Sequence, residues 1–174
     1  MKPLVGIIVG SDSDLPLIKE TTSILEKLEV PFEITIGSAH RTPDFVAEYV
    51  NTASARGIKV LIAAAGLSAH LPGVVASKTL LPVIGIPVDG GPLNGVDALY
   101  SIVQMPGGIP VASMAIGKSG ARNAAVFATQ ILALADEKLA EKLKVYRQEM
   151  SESVKEKAKR LSEMGIEKYI DEKE

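Results

Sequence analysis

The chain has no cysteine and no tryptophan, and its 174 residues include only two histidines, three phenylalanines and four tyrosines. Without cysteine there is no disulfide framework, no thiolate nucleophile and no thiolate metal site, a composition that fits a reducing compartment. So few aromatic rings leave little for bases or flavins to stack on. The 19 Lys+Arg against 21 Asp+Glu give a net charge of -2 and no basic field for nucleic acid. No apolar run approaches the roughly 18 residues of a membrane helix, and the N-terminal "MKPLVGIIVGSDSD" meets charge before any signal core develops. The expectation is a soluble, unprocessed, cytoplasmic protein with neither a nucleic-acid nor a membrane partner. The length suffices for one domain with its own core, plus an appendage.

What is present is a rhythm of short apolar runs: "LVGIIVG" (4–10), "FEITIGS" (32–38), "VLIAAAG" (60–66), "PVIGIPV" (82–88) and "PVASMAI" (110–116). Most barely alternate polar with apolar, as parallel strands covered on both faces do, and the segments between them have helical periodicity. The repeated order of strand then helix predicts an α/β fold. Its expected form is a three-layer, doubly wound parallel sheet, flavodoxin-like, with strand order 2-1-3-4-5. Helices are expected near 14–28, 43–56, 70–79, 94–103 and 119–142. Residues 1–135 form the expected catalytic domain.

From Asp136 the composition changes, because 10 of the 19 basic and 11 of the 21 acidic residues fall in the last 39 positions. Residues 136–174 therefore read as a charged helical extension. Leu139, Leu143, Tyr146, Met150 and Val154 recur at three- and four-residue intervals along it, with Leu161 seven residues further on, a stripe suited to packing on the body or on another subunit. A solvated extension is the alternative.

Polar turns follow the first three runs. "GSDSD" (10–14) brings hydroxyls, carboxylates and exposed backbone NH groups to a strand-to-helix turn, where they can grip a polyol and a phosphate or simply cap the helix. "GSAHRTPD" (37–44) places His40 and Arg41 in the same kind of join, with Thr42 and Pro43 reading as a helix start. "AAAGLSAHLPG" (63–73) brings His70 to the equivalent point of the third unit. For strand order 2-1-3-4-5 the ligand crevice lies between strands one and three, beyond their carboxyl ends. His40 titrates near neutrality and can give and take a proton, while Arg41 can hold a phosphate or carboxylate through its planar fork. Neither a dinucleotide G-x-G-x-x-G nor a triphosphate G-x-x-x-x-G-K-[ST] loop occurs, and there is no G-x-S-x-G elbow or convincing metal-ligand cluster. The chemistry left is proton transfer on a small phosphorylated molecule, without a cofactor.

In the same order, "GSDSD", "SAHRTP", "AGLSAHLPG" and "DALYSIVQMPGGIPVASMAIGKSGARNAA" resemble the PurE family of purine biosynthesis, over about residues 4–130. The resemblance implies a flavodoxin-like domain, a homo-octamer and an enzyme acting on an imidazole ribonucleotide without metal, ATP or biotin. Arg41, Thr42 and Pro43 after the histidine resemble the mutase branch (class I). That branch moves a carboxyl group of N5-carboxyaminoimidazole ribonucleotide from the exocyclic nitrogen to ring carbon four. Carried over, the resemblance assigns Ser11, Asp14 and Arg41 to the ribose phosphate, with Ser38 holding the same ligand. His40 becomes the acid and base of catalysis, and Gly66, Ser68 and His70 shape the pocket for carbon dioxide. Ser68 departs from the two alanines that many members carry before the second histidine.

Other readings stand beside this one. Within the enzyme class, the alternative is direct carboxylation of aminoimidazole ribonucleotide by carbon dioxide. A receiver-like or flavodoxin-like binding module is the alternative of a different class. A receiver needs an aspartate at the end of strand three, where this chain has Ala64, Ala65 and Gly66, and a flavin carrier needs an aromatic pair that the later loops lack.

Overall fold

A computed structural model describes residues 2–172. Its sheet has five strands in the order β2-β1-β3-β4-β5, all pairs parallel: β1 (Val5–Val9), β2 (Phe32–Ile36), β3 (Val60–Ala65), β4 (Val83–Pro87) and β5 (Ala112–Ser113). β1 and β3 are buried along their whole length, which is why they read as unbroken apolar runs. Edge strand β2 alternates instead and leaves Ile34 and Ile36 exposed.

Helices cover both faces. On one side α1 (Leu15–Lys27) and α5 (Lys118–Ala133) close over Val5, Ile7, Val9, Ile62, Ile84 and Ile86. Thr21 Oγ1 donates to the Ala121 carbonyl at 2.8 Å in this layer, satisfying a buried hydroxyl between the two helices. On the other side α2 (Pro43–Arg56) and α3 (Leu71–Ala76) cover Ile8, Leu61, Ala63 and Val83. α4 (Val96–Val103) packs there too, with Ile102 against Gly85 of β4. The three-layer flavodoxin-like architecture and its strand order are those the sequence predicts.

Two element boundaries differ from expectation. The fifth run, expected to pair over 110–116, pairs only through Ala112 and Ser113, because Pro110 has no NH to give and the chain leaves the sheet to begin α5. The helix expected over 119–142 is two helices. α5 ends at Ala133, and Asp136, in extended conformation, accepts from the Lys138 and Leu139 amides at 2.9 and 3.2 Å to cap α6 (Glu137–Met164).

Only the first part of the α6 stripe packs on the body. Leu139 is buried in the α1/α5 core, with Leu143 and Tyr146 against it, and Lys27–Glu149 (2.7 Å) and Lys142–Glu29 (2.9 Å) flank the contact. Met150, Val154 and Leu161 are exposed. The chain turns at Gly165 into α7 (Ile166–Asp171), where Arg160 pairs with Glu172 at 2.6 Å. No helix among the described residues is long and apolar enough to cross a membrane.

The start of α5 is the tightest backbone approach in the fold. A Cβ on buried Gly120 would collide with the carbonyl oxygen of Ala115, a backbone atom that cannot turn aside as the tip of a side chain can. Gly120→Ala is expected to lower stability by roughly 1–3 kcal/mol, as overpacking does. Gly107→Ala, where a Cβ meets nothing within 4 Å, should leave the denaturant midpoint near wild type, and equal midpoints for the two variants would contradict the packing argument.

Candidate active site

Just past β1 the chain opens into Gly10, Ser11 and a 3-10 turn at Asp12–Asp14. Ser11 caps that turn, its Oγ accepting from the Ser13 amide at 3.3 Å, and the Ser13 hydroxyl donates back to Ser11 Oγ at 2.9 Å. Asp14 makes no side-chain capping bond to α1 and is only 9% exposed. Its carboxyl titrates above the ordinary carboxylate value. Burial is the main cause and the neighbouring Asp12 charge adds to it, while bonds from the Ser13 hydroxyl and the Ser11 backbone pull the other way.

The β2–α2 turn carries the second group. Thr42 stands at the helix start with Pro43 at the first helical position, yet its hydroxyl does not cap α2. It accepts from the Ser38 amide at 3.0 Å and donates to the Ser38 carbonyl at 3.2 Å, closing the loop that holds Ala39, His40 and Arg41. Arg41 reaches back across the strand ends: Nη2 donates to the Gly10 carbonyl at 2.9 Å and Nε to Ser38 Oγ at 3.4 Å. Both acceptors are neutral, and no carboxylate pairs with Arg41 among the described residues. His40 is exposed, and its ring makes no hydrogen bond among the described residues.

These turns border one cleft of about 580 Å³ at the carboxyl ends of β1, β3 and β4. Six of the predicted residues line it: Ser11, Asp14, Ser38, His40, Arg41 and Gly66. Ser68 and His70 are not among its lining residues. The His70 ring lies over Gly73, where any Cβ would strike it, and Nδ1 sits 2.5 Å from the Ser101 carbonyl on α4. A carbonyl only accepts, so Nδ1 carries the proton of that bond. In this arrangement His70 ties α3 to α4.

Sequence reasoning missed part of the lining. Val88, Asp89, Gly90 and Gly91 follow β4, and Leu67 and Leu71 follow β3. The signal was available: "VDGGPLNG" after the fourth run is the same kind of polar, glycine-rich turn as the first three. Among the described residues no group of three or more His, Asp or Glu side chains could hold a metal ion.

The AIR carboxylase family matches residues 4–153. The chain belongs to this family. It is 58% identical over 171 residues to N5-carboxyaminoimidazole ribonucleotide mutase of Pyrococcus horikoshii, covering 98% of this chain and 96% of that one. To the mutase of Thermotoga maritima it is 54% identical over 172 residues, covering 99% of each. Phosphoribosylaminoimidazole carboxylase of Saccharomyces cerevisiae is 51% identical over 173 residues, 99% of this chain but only 30% of that protein. The crystal structure of Treponema denticola PurE superposes with a TM-score of 0.82 at 30% identity, covering 94% of this chain and 99% of that one. The PurE likeness read from the motifs is thus shown at the level of family and fold.

Asp14 sets a pH dependence of stability. A carboxyl whose folded pKa lies above its unfolded value contributes stability that is full below the unfolded value, near 3.8, and is lost as pH rises through the folded value. Asp14→Asn removes the buried charge, so the variant is expected to be more stable than wild type at neutral pH, with the gain vanishing below about pH 4. Urea unfolding across pH measures this, and a gain that stayed constant with pH would contradict the burial argument.

Proposed function

We propose that this chain is an isomerase of purine biosynthesis that converts N5-carboxyaminoimidazole ribonucleotide to 4-carboxy-5-aminoimidazole ribonucleotide. The observation that carries the reading is the meeting of His40, Arg41 and Ser38 with Ser11, Asp14 and Gly66 around one cleft. The near-full-length relatives named as mutases support it. So does the sequence Arg41-Thr42-Pro43 after the histidine.

The phosphate binds at the β1–β2 end. Arg41 supplies the guanidinium N–H groups not used on Gly10 and Ser38, and the hydroxyls of Ser11 and Ser38 complete the grip. Asp14 accepts from the ribose side of the ligand. His40 protonates the carbamate nitrogen as the N–C bond breaks and carbon dioxide leaves. Ring carbon four then attacks the carbon dioxide, and His40 removes the ring proton, returning to its starting state. No net proton is consumed, so one titrating side chain suffices. Direct carboxylation of aminoimidazole ribonucleotide is the competing reaction. The fungal relatives that carry a carboxylase name are about three times as long as this chain, so the name describes a larger protein.

Residues 1–135 form the catalytic unit in this reading and 136–174 its helical extension. The working protein is a homo-oligomer in the cytoplasm, and the resemblance supplies the octamer. Leu80, Leu134 and Tyr100 are strongly exposed, and Met150, Val154 and Leu161 leave half of the α6 stripe without a partner in the single chain.

Incubation with each candidate substrate at low bicarbonate tests the reaction: turnover of the carbamate is expected, and turnover of aminoimidazole ribonucleotide only at high bicarbonate would favour the alternative. His40→Asn should bind substrate while losing roughly a hundredfold or more in turnover, and loss under about tenfold would remove His40 from acid–base catalysis. Light scattering should give a mass well above the 18.4 kDa of one chain, near eight copies, and a fully active monomer would contradict the assembly.

A further inference from the structure

Thr42 stands where a helix cap is expected, yet its hydroxyl leaves the first amides of α2 uncapped and turns back four residues to Ser38. Both ends of the β2–α2 turn are anchored without it. Buried Gly37 donates its amide to the Val9 carbonyl at 2.8 Å, and buried Val46 donates its amide to the Thr42 carbonyl at 3.1 Å. Between these anchors no residue from Ser38 to Phe45 is buried, and Ala39 packs only partly against the core, so packing does little to fix the stretch that carries His40 and Arg41. Polar bonds fix it instead. The Thr42 hydroxyl accepts from the Ser38 amide at 3.0 Å and donates to the Ser38 carbonyl at 3.2 Å, and the Thr42 amide donates to the same carbonyl at 2.9 Å. Ser38 Oγ in turn accepts from the Arg41 amide at 3.3 Å and from Arg41 Nε at 3.4 Å. The circuit closes around His40, whose imidazole has no hydrogen bond among the described residues.

We infer that the Thr42 hydroxyl positions His40 and Arg41 relative to each other, locking the backbone of their turn while leaving the imidazole free to reorient. This rests on the carboxyl-transfer reading above. In that reading His40 gives a proton to the exocyclic nitrogen and later takes one from ring carbon four, two different atoms of one bound ligand. A side chain serves both by turning about its own bonds from a fixed backbone, because a backbone that drifts loses the alignment each transfer needs. The phosphate end makes the same demand. Arg41 anchors the ligand from the adjacent residue, so the spacing between its fork and the imidazole decides where the heterocycle sits. Thr42 does not line the cleft and acts through Ser38, as a positioning residue.

Thr42→Val tests this by removing the hydroxyl while keeping the β-branched shape and the amide bond to Ser38, at an exposed position where folding is not at risk. The Val variant is expected to lose between about tenfold and a hundredfold in kcat, the cost of a small misplacement of a reacting group. Its KM should rise as the Arg41 fork loses support. Hydrogen exchange at the Ser38 amide should quicken about tenfold, the scale of one hydrogen bond, while the thermal midpoint stays near wild type. Thr42→Ser, which keeps the hydroxyl, restores kcat, KM and the protection of the Ser38 amide. Wild-type protein that turns over the carbamate, with a Val variant of unchanged kcat and KM at whatever thermal midpoint, overturns the positioning role alone. A Ser variant as impaired as the Val variant does the same, because the methyl group and not the hydroxyl would then be what matters. Wild-type protein that never converts the carbamate overturns the functional reading and this role with it.

Discussion

The pairing of β1 with β2 on one side and β3 on the other is the constraint from which the site follows. The chain leaves β1 through α1 on one face of the sheet to reach β2, then returns past β1 through α2 on the opposite face to reach β3. Crossovers on opposite faces part the turns that follow β1 and β3, and a crevice opens where they diverge. Both strands are buried along their length between helices on each face, so a one-residue slip would turn every side chain into the wrong closely packed layer. The two turns are thereby held in fixed positions.

Within that crevice the charges are arranged unevenly. Among the described residues Arg41 is fixed by a backbone carbonyl and a hydroxyl and not by a carboxylate, so its positive charge stays open to an anion from outside. Asp14 is held in the opposite condition, buried and paired with no cation among the described residues, at a cost in stability that a purely structural residue at this position would avoid. Across the cleft, the β3 and β4 loops supply apolar atoms and open backbone. One end suits a charged, hydroxyl-rich group and the other a flat, weakly polar one, the division a sugar phosphate joined to a heterocycle requires.

Much of this was legible in the sequence, for identifiable reasons. The doubly buried strands announce themselves as apolar runs; the turn after the second pointed to His40 and Arg41, and the resemblance to Ser11, Asp14, Ser38 and Gly66, all of which border the cleft. What the sequence did not convey depends on three-dimensional direction. His70 stands beside the crevice in sequence, yet its bond to Ser101 belongs to a helix some thirty residues later. Leu67 looks like an ordinary leucine until its positive φ and its contact with Gly91 are seen. The break at Asp136 was present as an aspartate before a charged helix, but the helical spacing on both sides concealed the cap.

The most direct test of the central claim follows the carboxyl group itself. Substrate carrying 13C only in the carbamate carboxyl, turned over in the presence of unlabelled bicarbonate, would be read by NMR at the carboxyl on ring carbon four of the product. Transfer within one closed site predicts that the product keeps the label at nearly the enrichment of the substrate. Product diluted to the enrichment of the surrounding bicarbonate would show that the carboxyl group leaves the protein before it is recaptured, and would contradict the account.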